Sequence, residues 1–292
     1  MPDDSILRSE LGELGRGERI TSVQRLSGGF AGDPWLVSYA DGTRVVGKTL
    51  AGAPRDLFRA EAEGLAALRA TGYVRTPEVL AVTGRLLLLE ELPAREDTET
   101  SWAAFAADLA GLHLHTVGNR FGWDHDSYLG RLPQINTRSA DGHEFFAQNR
   151  LLRYLGEPLT EQALTRADRR ALERFCARMP EIIPAMPPVL THGDLWSANL
   201  LGKAGGGLAV IDPAISCTWA EVDLSMLWSS PRPPAADRFF HVYQELNPSP
   251  PGWAERMPLL NLRELLSVAA QETESAWAVE RIAAILKPFY LS

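Results

Sequence analysis

HGDLWSANLLGKAGGGLAVIDPA, residues 192–214, contains two short apolar segments on either side of a glycine-rich turn, Leu200–Leu201 and Leu208–Ile211. Two such segments around a turn predict a β-hairpin. If they pair, Asn199 lies almost opposite Asp212 at one end of the hairpin, and Asp194 lies in the loop just before it. This stretch therefore predicts that a loop carboxylate, an amide and a second carboxylate come together.

These three side chains suit phosphoryl transfer. Mg²⁺ prefers hard oxygen ligands from one or two carboxylates, with phosphate and water completing its octahedron. An acceptor hydroxyl also needs a nearby carboxylate to take its proton. Asp194 as the base, with Asn199 and Asp212 as metal ligands, meets both needs. The alternative is that the two aspartates merely cap ordinary turns at Gly193-Asp194 and Asp212-Pro213.

The first third of the chain consists mainly of predicted strands. Val23–Leu26 and Trp35–Tyr39 flank a glycine-rich turn that contains Gly28 and Gly29, and Thr43–Leu50 is the next strand. The backbone amides of this turn could lie over phosphate groups. The alternative is that it is only a turn between two strands.

A buried ion pair is predicted from helix periodicity. The segment Arg55–Ala70 is a predicted helix, and its apolar stripe consists of Leu57, Phe58, Leu65 and Leu68. Glu61 falls in the middle of that stripe, where an unpaired charge would be costly. The preceding strand offers Lys48, and a Lys–Glu pair that holds the ATP phosphates is part of kinase chemistry. The alternative is that Glu61 lies at the edge of the stripe and its carboxylate reaches water.

Strands come first along the chain and helices later, with a break near Leu92. The apolar strand Leu86–Leu89 runs into Glu90-Glu91-Leu92-Pro93, and the helices predicted after Ser101 include Gly142–Tyr154, Arg166–Met179 and Arg263–Thr273. This order predicts an α+β fold with two lobes, a small β-rich lobe over residues 1–92 and a larger, mainly helical lobe over 93–292.

Composition excludes several classes of function. The net charge of −8 disfavours a general nucleic-acid binder, which would carry a basic stripe. The longest aliphatic run is four leucines, far short of the ~18 apolar residues of a membrane span. The N-terminus is acidic, unlike a signal peptide, and the two cysteines have no metal-ligand spacing. We therefore expect a cytoplasmic protein that binds neither membrane nor nucleic acid.

Several motifs together resemble one known family. HGDLWSAN at 192–199, LAVIDPA at 208–214 and EVDL at 221–224 are similar to segments of the fructosamine (ketosamine) kinases. The resemblance continues through FRAEAEGL at 58–65, LLLLEEL at 86–92 and FGWDHDSYLGRLPQIN at 121–136. These segments span nearly the whole chain in order. The resemblance implies a protein-kinase-like fold, also found in aminoglycoside phosphotransferases.

The resemblance also implies roles for individual residues. Asp194 becomes the catalytic base, Asn199 and Asp212 the magnesium ligands, and Lys48 with Glu61 the pair that binds the phosphates. The hinge Glu90, Glu91 and Leu92 would meet adenine through its backbone. The implied partners are ATP with Mg²⁺ and a small sugar-amine acceptor, including glycated protein amines.

The acceptor side departs from the family pattern. Ala220 stands where the family has arginine, and the segment Ser216–Ala220 is expected to line the acceptor pocket with Trp219 as its only bulky group. Trp196 and Trp123 could stack on a sugar ring, although most tryptophans are simply packed. Two other functions stay open, a kinase of another small hydroxyl compound such as an aminoglycoside or free sugar, and a silent nucleotide-binding module.

Overall fold

The computed structural model describes residues 3–27 and 32–290 of the 292-residue chain. Gly28 and Gly29, the two expected phosphate-loop glycines, lie outside the described residues. The described chain forms a lobe built on a sheet, followed by a mainly helical lobe. This is the two-lobed α+β arrangement that the order of strands and helices predicts.

The N-terminal lobe contains a five-stranded antiparallel sheet. Its strands are β1 (Ile20–Arg25), β2 (Asp33–Tyr39), β3 (Arg44–Thr49), β4 (Val79–Val82) and β5 (Leu86–Glu90), in the spatial order β1-β2-β3-β5-β4. Leu86 and Leu88 pack with helix α1 (Ser5–Glu13), whereas Leu87 and Leu89 pack with helix α2 (Leu57–Ala70). Successive side chains of a strand point to opposite faces. The run of four leucines therefore marks a central strand that is covered on both sides.

The C-terminal lobe is organised around eight α-helices among the described residues. They are α3 (Glu99–His115), α4 (Gly142–Phe146), α5 (Pro158–Ala163), α6 (Arg166–Ile182), α7 (Glu221–Ser229), α8 (Asp237–Leu246), α9 (Trp253–Gln271) and α10 (Ala276–Leu286). Helix α3 packs against α8, and α9 packs against both α7 and α10. The large apolar core of the molecule lies between these helices.

Three small antiparallel sheets complete the C-terminal lobe. Their strands are β6 (Ser127–Leu129), β7 (Leu132–Gln134), β8 (Val189–Thr191), β9 (Leu200–Gly202), β10 (Leu208–Val210) and β11 (Ser216–Thr218). β6 pairs with β7, β9 with β10, and β8 with β11. The β9–β10 hairpin is the one that the sequence predicts.

The connection between the lobes is the segment between β5, which ends at Glu90, and α3, which begins at Glu99. The carbonyl of Pro93 accepts a hydrogen bond from the amide of Gly202 at 2.9 Å, so this segment lies against the β9–β10 hairpin. We propose that the two lobes divide after Leu92, into residues 1–92 and 93–292.

Parts of the secondary structure differ from the sequence-based expectation. Helix α1 is additional, and its two leucines, Leu7 and Leu11, form a stripe too short to stand out in the sequence. The helix expected over Gly142–Tyr154 is α-helical only to Phe146 and continues as π and 3₁₀ turns. Helix α9 begins at Trp253, well before the expected Arg263. Pro258 disfavours a helix in the sequence, but the structure tolerates it inside α9.

Candidate active site

Lys48 joins two carboxylates from different parts of the chain. Its Nζ donates to Glu61 Oε1 and Oε2 at 2.7 and 2.8 Å, and to Asp212 Oδ1 at 3.0 Å. Lys48 and Glu61 are 3% and 8% exposed. Burial alone would lower the pKa of Lys48, but the charges of Asp212 and Glu61 raise it above its ordinary value. The ammonium group therefore stays charged. The expected Lys48–Glu61 pair is present, and it extends to Asp212.

The β9–β10 hairpin brings Asn199 and Asp212 to the same end. Leu200 pairs with Val210, and the next residue outward, Ile211, donates its amide to the carbonyl of Asn199 at 3.0 Å. Asp212 follows with a φ of 56°, a left-handed conformation that few residues other than glycine adopt. The hairpin register therefore places the two residues side by side, as the sequence predicts.

Asp194 is held by the amide side chain of Asn199. Asn199 Nδ2 donates to the carbonyl of Asp194 at 2.8 Å and to its carboxylate Oδ2 at 3.0 Å. Both amide hydrogens are thus directed at Asp194, which leaves Asn199 Oδ1 as an acceptor. Burial, together with the negative charge of Glu264, raises the pKa of Asp194 well above its usual range. The structure thus brings Asp194, Asn199, Asp212 and Lys48 together.

Asp223, at the start of α7, anchors the loop that carries Asp194. Its two carboxylate oxygens accept hydrogen bonds from the amides of His192 and Gly193, each at 2.8 Å. His113 Nε2 lies 3.3 Å from the same carboxylate, and Asp223 is fully buried. Sequence reasoning missed this positioning residue. A carboxylate between the apolar residues Val222 and Leu224 was the signal that could have indicated it.

His192 holds the same loop through its ring. Its Nε2 lies 2.9 Å from the carbonyl of Ile211, and its Nδ1 accepts a hydrogen bond from the amide of Asp194 at 3.2 Å. Burial lowers the pKa of His192, so the ring is neutral, as a histidine that accepts at Nδ1 must be. His192 therefore has a structural role in this loop.

We expect Gly193→Ala to disrupt this loop. Gly193 has a φ of 78°, and a Cβ atom there would lie 2.1 Å from the carbonyl oxygen of Ala214. The loop must shift, so we expect unfolding free energy to fall by about 2 kcal/mol or more, with at least tenfold lower kcat. Denaturant unfolding and steady-state kinetics measure the two effects.

Gly205→Ala is the matched control for this variant. Gly205 also has a positive φ, 84°, but a Cβ atom there has nothing within 4 Å. Alanine at this position therefore has the same unfavourable backbone conformation but makes no steric clash. Equal losses of stability and activity in the two variants would contradict a special requirement for glycine at 193.

These residues open onto a cleft of about 1090 Å³ between the lobes. One end is apolar and is lined by Leu36 and Val46 from the sheet and by Leu201 and Ile211 from the β9–β10 hairpin. The expected hinge residues Glu90, Glu91 and Leu92 border the same end.

The hinge carboxylates are already paired. Glu90 pairs with Arg75 and accepts from the amide of Glu78 at 2.9 Å, and Glu91 pairs with Arg44 at 2.6 Å. Their side chains are therefore engaged within the protein, and contact of the hinge backbone with a base stays a prediction.

The three tryptophans considered for the acceptor occupy different environments. Trp196 is 36% exposed and lines the cleft. Trp123 packs against the helical core, with the Arg138 guanidinium 5.8 Å from the centre of its ring. Trp219 is 1% exposed and packs against Phe121 and Phe146. Only Trp196 is placed to meet a molecule in the cleft.

The segment Ser216–Ala220 does not line the cleft, contrary to the sequence-based expectation. Ser216–Thr218 forms strand β11 and pairs with β8, which carries the segment into the core behind the active-site loop. Ala220 precedes α7, and its neighbour Glu221 forms a buried ion pair with Arg256 of α9. The residues of this segment that differ from the family pattern, including Ala220, therefore affect packing of the core and not the lining of the cleft.

We propose that the acceptor binds on the side of the cleft that α9 and α10 line. Asn261, Glu264, Val268 and Gln271 of α9 line it, and Trp277 of α10 stands at its rim. Sequence reasoning assigned none of these residues to a site. Asn261 lies before the expected helix Arg263–Thr273, and which face of that helix borders the cleft depends on long-range packing. Glu264, an acidic residue beside the apolar pair Leu265-Leu266, was the available signal.

The donor set of the site fits Mg²⁺. Asn199 Oδ1 and the carboxylate of Asp212 are hard oxygen ligands at one end of the hairpin, and nucleotide phosphates would supply others. No group of three or more His, Cys, Asp or Glu among residues 3–27 and 32–290 could hold a metal ion without such help. The residues therefore suit an ion that arrives with a phosphate ligand.

Comparison with known proteins agrees with this geometry. The family model for fructosamine kinase matches residues 5–283. A Synechocystis protein named as a probable ketoamine kinase is 32% identical over 227 residues, which cover 72% of this chain and 72% of that protein. The crystal structure of a Thermobifida fusca protein described as a fructosamine-3-kinase is 32% identical, with a TM-score of 0.84, and covers 96% of this chain and 99% of its own.

A more distant similarity concerns the fold alone. The choline kinase LicA of Streptococcus pneumoniae is 14% identical, with a TM-score of 0.65 over 98% of this chain. The expected two-lobed, kinase-like architecture is thereby confirmed.

In the described part of the chain, no helix is both long enough and apolar enough to span a bilayer.

Proposed function

Because the chain belongs to the fructosamine kinase family, we propose that it transfers the γ-phosphoryl group of ATP to a sugar hydroxyl of a ketosamine. One observation carries the proposal. Lys48 and Asp212, in contact at 3.0 Å, and Asp194, bonded to Asn199 at 3.0 Å, line one cleft between the lobes. A cation for phosphate and a carboxylate for the acceptor hydroxyl therefore meet in one place.

The apolar end of the cleft suits the adenine ring. Leu36 and Val46 would cover one face of the base and Leu201 and Ile211 the other, with the backbone of Glu91 and Leu92 at its edge. In this arrangement the phosphates would extend toward Lys48. Glu61 and Asp212 fix the direction of the ammonium group, so the enzyme does not have to reorganise it when ATP binds.

Asn199 and Asp212 would hold Mg²⁺ against the phosphates. The bound ion would neutralise charge that develops on the phosphoryl oxygens. Asn199 has a second task, since its amide hydrogens orient the Asp194 carboxylate.

Asp194 would accept the proton of the acceptor hydroxyl. Because its surroundings raise its pKa, its carboxylate is a stronger proton acceptor than an exposed aspartate.

A coupled ADP-release assay tests the proposed function. The panel should contain small ketosamines, a glycated protein, free fructose and an aminoglycoside. The glycated protein is included because the rim residues Trp196 and Trp277 are 36% and 52% exposed, so the acceptor end opens to solvent. We expect the largest kcat/KM for ketosamines. Activity confined to an acceptor unrelated to them would contradict the proposed substrate, and no turnover of any acceptor would contradict a kinase function.

Asp212→Asn should weaken the use of magnesium. The substitution keeps the shape of the side chain but leaves two neutral amides as metal ligands. We expect the Mg²⁺ concentration for half-maximal activity to rise about tenfold or more. Titrating Mg²⁺ at saturating acceptor measures the change, and Asp237→Asn, an exposed change at the start of α8, is the control. An unchanged magnesium requirement would remove Asp212 from the ligand set.

A further inference from the structure

Glu264 is an acidic residue on the acceptor side of the cleft that lacks a partner. It belongs to α9 and lines the same cleft as Asp194 and Trp196. Its Oε2 atom is buried and has no hydrogen-bond partner among the described residues. A buried polar atom left unpaired costs free energy, so native structures nearly always satisfy such atoms.

The cations near the cleft are engaged elsewhere. Lys48 binds Glu61 and Asp212, and Arg44 binds Glu91. Arg25 pairs with Asp33, and Arg281 donates to the carbonyl of Ser229 at 2.8 Å. None of these contacts includes Glu264.

Arg263, the residue before Glu264, makes neither a hydrogen bond nor an ion pair with it. It is 2% exposed, and its Nη2 donates to Gln134 Oε1 at 2.9 Å. Its positive charge partly offsets that of Glu264, but burial still raises the pKa of Glu264. The carboxylate is therefore held in a place where it is costly, and no cation among residues 3–27 and 32–290 forms an ion pair with it.

Glu264 and Asp194 line the same cleft. A molecule in that cleft can therefore contact Glu264 with one group and present a hydroxyl to Asp194 with another. In a ketosamine, the amine and the sugar hydroxyls are only a few bonds apart, and the amine is protonated at neutral pH. One acceptor molecule can therefore present a hydroxyl to Asp194 and an ammonium group to its neighbour.

We propose that Glu264 binds the protonated amine of the acceptor and so selects amine-bearing sugars over neutral ones. This inference rests on the proposed function and assigns the residue that determines its substrate class. The amine supplies the charge and the hydrogen-bond donor that Glu264 lacks in the free enzyme. A neutral sugar supplies neither, and its binding leaves the carboxylate buried and unpaired.

A matched pair of acceptors tests the inference. 1-Deoxy-1-(methylamino)fructose and 1-O-methylfructose have nearly the same size and differ in whether the group on C1 carries a positive charge. The kcat and KM for both compounds, and their Kd values from calorimetry, are measured with the wild type and with Glu264→Gln. A charge-assisted hydrogen bond should give the wild type about ten- to hundredfold preference for the amine in Kd and KM.

Glu264→Gln should abolish most of that preference. We expect KM and Kd for the amine to rise about tenfold or more, with little change for the methyl ether or in the KM for ATP. The melting temperature of the free enzyme should rise, because a costly buried charge is removed. Glu255→Gln is the control, since it makes the same change at an exposed position in the first turn of α9.

The outcomes separate this inference from the proposed function. If the wild type phosphorylates the amine and Glu264→Gln keeps the same preference, the function stands and the inference is wrong. If the wild type binds the amine through Glu264 without phosphorylating any ketosamine, the inference stands and the proposed substrate is wrong. If the wild type does not prefer the amine, the inference is overturned.

Discussion

Asp194→Asn is expected to lower kcat by about 10²- to 10⁴-fold, the usual contribution of a general base. The asparagine keeps the shape of the side chain but cannot accept the proton of the acceptor hydroxyl. It also removes a negative charge from a buried position, so the stability of the free protein should not fall. Nucleotide affinity should change little, because the substitution leaves Lys48 and Asp212, which would bind the phosphates and Mg²⁺, in contact with each other.

Single-turnover phosphorylation and equilibrium binding of ATP measure these effects separately. Asp124→Asn is the control, because it makes the same change in an exposed ion pair with Arg138. We expect that control to match the wild type in both measurements. Wild-type turnover in Asp194→Asn would show that another group takes the proton, and Asp212 would then be the first residue to examine.

The second large effect is expected for Lys48→Met, which keeps the apolar stem of the lysine but removes its charge. The variant should lose nearly all phosphoryl transfer, because no ammonium group remains to bind the phosphates. It should also be less stable by about 3–5 kcal/mol, the cost of leaving a buried carboxylate without its partner. Glu61 is the residue left in that state, since its side chain is only 8% exposed.

The double variant Lys48→Met with Glu61→Gln separates the two roles of Lys48. Glutamine removes the uncompensated charge, so unfolding free energy should return toward that of the wild type while activity stays lost. Denaturant unfolding and the ADP-release assay are run on both single variants and on the double variant. If activity returned together with stability, Lys48 would have only a structural role.

The sequence by itself determined the parts of the site that depend on local patterns. The hairpin that unites Asn199 with Asp212 could be predicted because its strands are adjacent along the chain and joined by a glycine turn. The same holds for Glu61, since the 3.6-residue period of α2 placed it on the buried stripe. The four leucines of β5 likewise predicted a covered strand, although period alone could not show that α1 and α2 cover opposite faces.

Tertiary structure alone decided the residues that support and border this site. Asp223 acts on amides about thirty positions away, at His192 and Gly193, and Glu264 reaches the cleft from α9, seventy residues after Asp194. The sequence predicts that Trp219, which comes soon after Asp212, lines the acceptor pocket. The pairing of β11 with β8 instead buries Trp219 in the core. Periodicity and turn residues report which face of an element is buried. Which distant element covers that face depends on long-range packing, and in this protein that packing determines the acceptor side.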